Sequence, residues 1–194
     1  LLSMSTLVTN EPQRIHPHRF IMWIAIGSIV MMFAGMTSAY IVKKNQGNWL
    51  AIELPVVFWY STVVILVSSV TMYLANTALK AGKTSFYKTL ITITAILGVV
   101  FISMQWEGFK DLETRGIALI GPQSNSASSF LFVITGLHML HVLGGVIALI
   151  VTFFRSFWGQ EGQTNLVPTQ IVATYWHFVD VLWIYLFIFY QLIA

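Results

Sequence analysis

The sequence predicts an all-α integral membrane protein, a bundle of five transmembrane helices with its N-terminus inside and its C-terminus outside. Composition is the first observation: 57% of the 194 residues are hydrophobic and 9% are charged. An average soluble domain carries about 25% charged residues, so this chain lacks the polar material to cover a water-facing surface. Second, five stretches each supply the roughly 20 mostly apolar residues needed to cross the hydrocarbon. Third, the charged residues fall mostly in short connections between those stretches. There they report topology, not a nucleic-acid footprint.

Residues 1–19 form a polar tail with Pro12 and Pro17 and lack the apolar centre of a signal peptide, so the first span itself is expected to direct insertion. Residues 20–194 read as one membrane domain. The first span covers about residues 20–42. The second, about 56–79, follows Pro55, whose fixed φ suits a helix start. The third covers about 86–105. The fourth, about 128–154, is preceded by Ser124, Asn125 and Ser126, side chains that cap free backbone donors. The fifth, about 169–194, follows Pro168. Short connections predict that consecutive helices lie side by side and antiparallel.

Basic residues set the orientation. Arg14, Arg19, Lys80, Lys83, Lys88 and Arg155 share one side. Lys43, Lys44, Lys110 and Arg115 share the other with Glu53, Glu107, Asp111 and Glu113, acids that read as a solvated face. The larger basic count is placed inside. Six tryptophans (Trp23, Trp49, Trp59, Trp106, Trp158 and Trp176) fall near predicted boundaries and read as interfacial belts, whereas Trp183 lies deeper and reads as packing. His16 and His18 flank Pro17 and read as an interfacial pair.

Small residues recur at helical spacing. Ala34 and Ser38, Gly35 and Ala39, and Gly144 and Ala148 are four apart, with Gly136 and Gly145 nearby. Such spacing lets membrane helices approach closely. Packing inside the bundle is the first reading, and docking against another subunit the second.

Chemistry concentrates in the last two spans. Tyr175-Trp176-His177-Phe178-Val179-Asp180-Val181-Leu182-Trp183 places an imidazole and a carboxyl one turn apart in an apolar helix. Ionisable groups there cost roughly 2.5–3.5 kcal/mol each on insertion scales. His138 and His141 have the same relation in the fourth span. Counting from the helix middles puts His141 and Asp180 at a similar depth, where they can face each other or share a water or lipid group.

Three chemistries compete for this cluster. A metal site has suitable ligand types, but bundle metal sites draw Glu-x-x-His units from paired helices, and no second intramembrane acid is present. A haem held between helices has three candidate histidines, two of them on one helix. A structural network, in which imidazole and carboxyl bond each other, backbone or lipid, takes most of the weight. The absence of cysteine removes disulfides, thiolate ligands and covalent haem attachment.

Two of these strings resemble a known family. Thr135-Gly136-Leu137-His138-Met139-Leu140-His141-Val142 is similar to the Thr-Gly-Phe-His-Gly-Leu-His-Val stretch of cytochrome c oxidase subunit III. The Tyr175 to Trp183 string resembles that family's most diagnostic segment. Ser28 to Tyr40 is similar to its Ser-Glu-Val-Met-Phe-Phe-Ala-Gly segment, with Ile29 where the family commonly has a membrane-embedded glutamate. No role of that glutamate carries over.

The resemblance covers roughly residues 16–194 and matches a shorter, five-helix bacterial form. It implies a non-catalytic core subunit in a bacterial inner (plasma) membrane. It further implies haem and copper held by partner subunits I and II, phospholipid bound in a cleft, support of proton uptake, and membership of a larger respiratory assembly. By the same resemblance His138, His141, Tyr175, Trp176, His177 and Asp180 line or brace the lipid cleft. Subunit III of a quinol oxidase is built the same way. A free-standing ion or proton carrier and a haem-binding electron carrier remain as readings of another class. The carrier has little support, since Gly144-Gly145 is present but no span is broken by proline.

Overall fold

The computed structural model describes residues 17–45, 52–117, 125–158 and 166–193. All regular structure among them is helical: α1 (Pro17–Lys44), α2 (Val56–Lys80), α3 (Thr84–Thr114), α4 (Ser126–Trp158) and α5 (Leu166–Ile193). Each is long and apolar enough to cross a membrane. His16, Arg14, Ser124 and Trp49 lie outside the described residues, as do the side chains of His18 and Trp158.

The helices outrun the predicted spans at several ends. α3 has 31 residues, about 46 Å at 1.5 Å per residue, against a hydrocarbon core of about 30 Å. Its last turns carry Glu107, Asp111 and Glu113, which therefore sit on a helix and not in a loop. Lys110 pairs with Glu107 at 3.0 Å, and Arg115 with Asp111 at 2.7 Å. Such one-turn pairs support an exposed helix end by a few tenths of a kcal/mol, about 0.2–0.5 each. Pro55 caps α2 from outside, as expected. Pro168 is the third residue of α5 instead of its predecessor. In the first turn its missing N–H has no intrahelical partner to lose.

Both tight ends use a left-handed glycine. Gly82 has φ 71° and Gly116 φ 79°. After each, the chain folds back so that Lys83 N–H donates to the Ala78 carbonyl and Ile117 N–H to the Leu112 carbonyl, both at 3.0 Å. This closes the free carbonyls of α2 and α3. At the start of α4, Asn125 Oδ1 accepts from Ala127 N–H at 3.2 Å, and Ser128 Oγ accepts from Asn125 N–H at 3.0 Å. Asn125 is thus the capping residue, and Ser126 is already helical.

α5 is the most buried helix and α1 the least. α5 lies against α1, α2 and α4, while α3 bridges α2 and α4. Consecutive helices are neighbours for α2–α3, α3–α4 and α4–α5. The expectation fails for α1, which touches only α4 and α5 among the described residues. The aromatic face of α5 (Trp176, Trp183, Phe187, Tyr190) fills the bundle centre. α1 packs across its far side, and Lys44 Nζ donates to the Ile193 carbonyl.

The small residues divide. Ala34, Gly35, Ser38 and Ala39 are exposed on α1, and a Cβ at Gly35 would meet nothing within 4 Å. They take no part in packing inside this bundle. Gly136 is half-buried but equally open. Gly145 is buried, Ala148 half-buried, and Gly144 exposed beside the Tyr175 hydroxyl. Trp23, Trp59 and Trp106 are exposed near helix ends, as a belt requires. Trp176 is fully buried, so it belongs to the core and not to the belt.

Candidate functional site

The diagnostic segment of α5 places Trp176, Asp180 and Trp183 at i, i+4 and i+7, one face of a helix. All three are buried. The Trp176 ring lies in a slot made by missing side chains. A Cβ on Gly98 of α3 would fall 2.7 Å from Trp176 Cη2, and one on Gly145 of α4 would fall 3.0 Å from its ring.

Polar atoms of this face are met mainly from α2. Trp176 Nε1 donates to Ser68 Oγ at 3.1 Å, and Trp183 Nε1 donates to Thr62 Oγ1 at 3.0 Å. His177 Nδ1 and Ser69 Oγ are 2.8 Å apart. Donors seven apart on α5 therefore meet acceptors six apart on an antiparallel neighbour, rung against rung. Tyr175 points the other way, and its hydroxyl donates to the His141 carbonyl of α4 at 3.1 Å.

Asp180 is buried with both carboxyl oxygens unbonded; the Ser69 hydroxyl faces it without closing a hydrogen bond of normal geometry. His138 is fully buried, and neither ring nitrogen has a partner. Its ring stacks on Trp183 with centroids 5.2 Å apart and planes 27° from parallel. Phe33 of α1 and Phe101 of α3 meet it edge-on at 6.4 and 6.2 Å. His141 turns back on its own helix: Nδ1–H donates to the Leu137 carbonyl at 2.7 Å, and the ring lies 5.8 Å from Phe33.

The expected imidazole–carboxyl bond across α4 and α5 is therefore not made. His138 and His141 go to the aromatic rings of α1, α3 and α5. His177 and Asp180 face α2. The hydrogen-bonded brace of α5 runs chiefly to α2 through hydroxyls, because small Ser and Thr side chains let that helix come close and still offer an acceptor. Among the described residues, no three of His, Asp and Glu gather into a group able to hold a metal ion. Ile29 is half-buried against the core and supplies no ionisable group.

Two apolar grooves open on the outside. One, about 320 Å³, runs between α1 and α5 past Val30, Phe33, Ala34, Phe178, Val181 and Tyr185. The other, about 420 Å³, runs between α3 and α4 past Ile96, Val99, Val100, Ile150 and Phe153. None of the six residues expected to line or brace a lipid cleft lines either groove. Phe33 is the link: one ring forms the groove wall and also touches His138 and His141. The sequence reading missed Thr62, Ser68, Ser69, Gly98, Phe33 and Phe101. Hydroxyls at 62, 68 and 69 in an apolar span were the available signal.

Comparison with known proteins agrees with this architecture. The family model for cytochrome c oxidase subunit III matches residues 18–193. The probable cytochrome c oxidase subunit 3 of Nocardia farcinica is 29% identical over 191 residues, 90% of each chain. That of Mycobacterium bovis is 30% identical over 206 residues, 95% of each chain. Cytochrome c oxidase subunit 3 of Triticum aestivum is 34% identical over 128 residues, 66% of this chain and 46% of its own.

Proposed function

The chain belongs to the cytochrome c oxidase subunit III family, and from that premise we propose that it is the non-catalytic core subunit of a haem-copper terminal oxidase. It is a multi-pass membrane protein and part of an oxidase complex. In the finer reading it flanks subunits I and II, which hold the haem and copper. It carries phospholipid in its grooves and supports proton uptake during oxygen reduction. It sits in a bacterial inner (plasma) membrane with its N-terminus inside, where a larger respiratory assembly recruits it.

One observation carries the non-catalytic role. Four of the five polar side chains in the family segment of α5 bond a neighbouring helix directly, three of them (Trp176, Trp183 and His177) to α2. Tyr175 does the same to α4. A segment engaged in this way shapes a bundle. The groove between α1 and α5, about 320 Å³, has apolar walls suited to an acyl chain, and Phe33 couples it to the buried histidines.

Mild-detergent purification of the tagged chain tests the reading. Co-purification of a haem-bearing membrane subunit with oxygen consumption supports it, and the rate with reduced cytochrome c against that with a quinol identifies the donor. Recovery of the chain alone, with ion flux in vesicles, overturns it.

A further inference from the structure

The polar residues of α5 begin well before the diagnostic segment. Gln170, Thr174, His177 and Asp180 recur every three or four residues, on one face of the helix. Lys80, Asn76 and Ser69 share a face of α2 in the same way, and α2 lies against α5. The two stripes meet along one seam. At the end of the bundle where α5 starts and α2 stops, Asn76, Lys80, Gln170 and Thr174 line a cavity of about 300 Å³, to which α1 adds Arg19, Met22 and Trp23. Deeper along the seam, His177 Nδ1 and Ser69 Oγ stand 2.8 Å apart, and Asp180 lies one turn further on, beside Ser69. Gln170 and Asp180 are ten residues apart. That is about 15 Å along the axis, half of a hydrocarbon core of about 30 Å.

Bracing of the bundle accounts for His177, which has its partner. It does not account for Asp180, which is 2% exposed with neither carboxyl oxygen bonded, nor for the Asn76 side-chain oxygen, which is buried without a donor. Both belong to this seam. Water entering from the cavity would supply the donors they call for. Toward the other end the way closes. Ile65, Phe58 and Leu186 are buried and apolar, and the Thr62 hydroxyl is committed to the Phe58 carbonyl and the Trp183 indole.

One carboxyl and one hydroxyl are too few oxygens for a metal ion, whereas a proton needs only one. The other titratable groups of the seam are His177, beside Ser69, and Arg19 and Lys80 at the mouth. From α4, His138 and His141 turn to aromatic rings and to the Leu137 carbonyl. We propose that the α2–α5 seam is a one-sided proton well, in which Asp180 exchanges its proton with the aqueous phase at the cavity end. In release, the carboxyl O–H bond breaks and the proton passes to water in the seam, then past His177, Thr174 and Asn76 to the cavity. Uptake reverses the path. An ionisable group within a membrane helix has such a relay as its commonest use. The proposal rests on the chain crossing a bilayer and not on assembly with other oxidase subunits, so either can fail without the other.

The test uses the full chain in lipid nanodiscs, followed by infrared spectroscopy on transfer from water to deuterium oxide. The Asp180 carboxyl stretch is the band lost in Asp180→Asn, and the amide band of the same spectrum checks that each variant is helical. The stretch is expected to shift within seconds. Asn76→Leu and Thr174→Val are each expected to slow that shift roughly tenfold, since each removes a polar group from the water path. Gln105→Leu, which alters the buried bond of α3 to Ser61 on the far side of Asp180, is expected to leave the rate unchanged. A stretch that stays unshifted for hours overturns the well, and so does the lack of any carboxyl band that Asp180→Asn removes. Unchanged rates in both folded seam variants overturn the route. Slowing by Gln105→Leu as large as by the seam variants overturns its one-sidedness.

Discussion

The indole N–H of Trp176 donates to the Ser68 hydroxyl at 3.1 Å, across the interface between α5 and α2. That bond requires the indole to reach past α3, and Gly98 provides the room. A Cβ there would stand 2.7 Å from Trp176 Cη2 and 2.8 Å from Val146 Cγ2. Neither atom has a free direction in which to retreat, since Trp176 and Val146 are both buried.

Gly98→Ala is therefore expected to destabilise the bundle by about 1–3 kcal/mol, the usual cost of overpacking a filled core. Gly35→Ala meets open space and gains helix propensity, so it should be neutral or slightly stabilising. Thermal unfolding of the two variants in one detergent checks the pair. Equal midpoints would mean that the Trp176 slot is looser than the structure has it.

The hydroxyl rungs of α2 give a second expectation. Ser68→Ala and Thr62→Val each leave a buried indole N–H without its acceptor. Side-chain hydrogen bonds between membrane helices average about 0.6 kcal/mol by double-mutant cycles, so each loss should be of that order. The rungs are six residues apart on α2, about 9 Å, and distant sites add. The double variant should lose the sum of the two single losses, measured by unfolding in a mixed-micelle titration. A sum well below that would place both rungs in one coupled network.

The five spans were legible because twenty apolar residues in a row have few other uses, and the His-Asp pair of α5 because ionisable groups stand out there. The partners were not legible. Serine and threonine are tolerated almost anywhere in a membrane helix, since a hydroxyl can bond its own helix, as Thr62 does to the Phe58 carbonyl at 2.7 Å. Ser68 and Ser69 thus looked like Ser103, which bonds its own helix at the Val100 carbonyl. Helices apolar on every side also give no sequence signal of which face turns inward. That is why the α1 stripe of Ala34, Gly35, Ser38 and Ala39 read first as internal packing. Nor does a short connection fix neighbours once a third helix fills the space, as α5 does between α1 and α2. The polar end of α3 was read as a loop because charged turns that run beyond the bilayer look the same in sequence.

α1 should open before the rest. Among the described residues it touches only α4 and α5; apart from the end contacts of Arg19 with Gln170 and of Lys44 with the Ile193 carbonyl, its side-chain bond to α5 joins Thr37 Oγ1 to the Tyr185 hydroxyl at 2.9 Å. Thr37 already donates to the Phe33 carbonyl at 3.0 Å, so the tyrosine proton points to Thr37. Local opening follows the density of buried contacts. Amide exchange in detergent should be faster in α1 than in α5, and Tyr185→Phe should widen that difference while leaving the global midpoint within about 1 kcal/mol. Uniform exchange across all five helices would contradict it.

His138 is enclosed by Trp183, Phe33 and Phe101 with both nitrogens unbonded. A buried polar group without a partner costs about 1–3 kcal/mol. His138→Phe keeps a flat ring in the same aromatic site and removes that cost, so the isolated chain should melt at the same temperature or higher. A lower midpoint would show that an imidazole nitrogen is bonded after all.

Asp180 carries the same cost on a group kept nearly without exposure, beside the Ser69 hydroxyl. On packing grounds Asp180→Leu should insert normally and raise the midpoint of the isolated chain by the equivalent of about 1–3 kcal/mol. A sequence that retains such a carboxyl against its own stability points to a use in the assembled protein. The matching expectation is that the oxidase containing Asp180→Leu starts at a normal turnover rate and inactivates sooner, while Asp180→Asn, which keeps a polar oxygen before Ser69, holds its lifetime. Midpoint and turnover lifetime thus move in opposite directions for the leucine variant. A raised midpoint with an unchanged lifetime would make the carboxyl dispensable, and a lowered midpoint would make it part of the brace between α5 and α2.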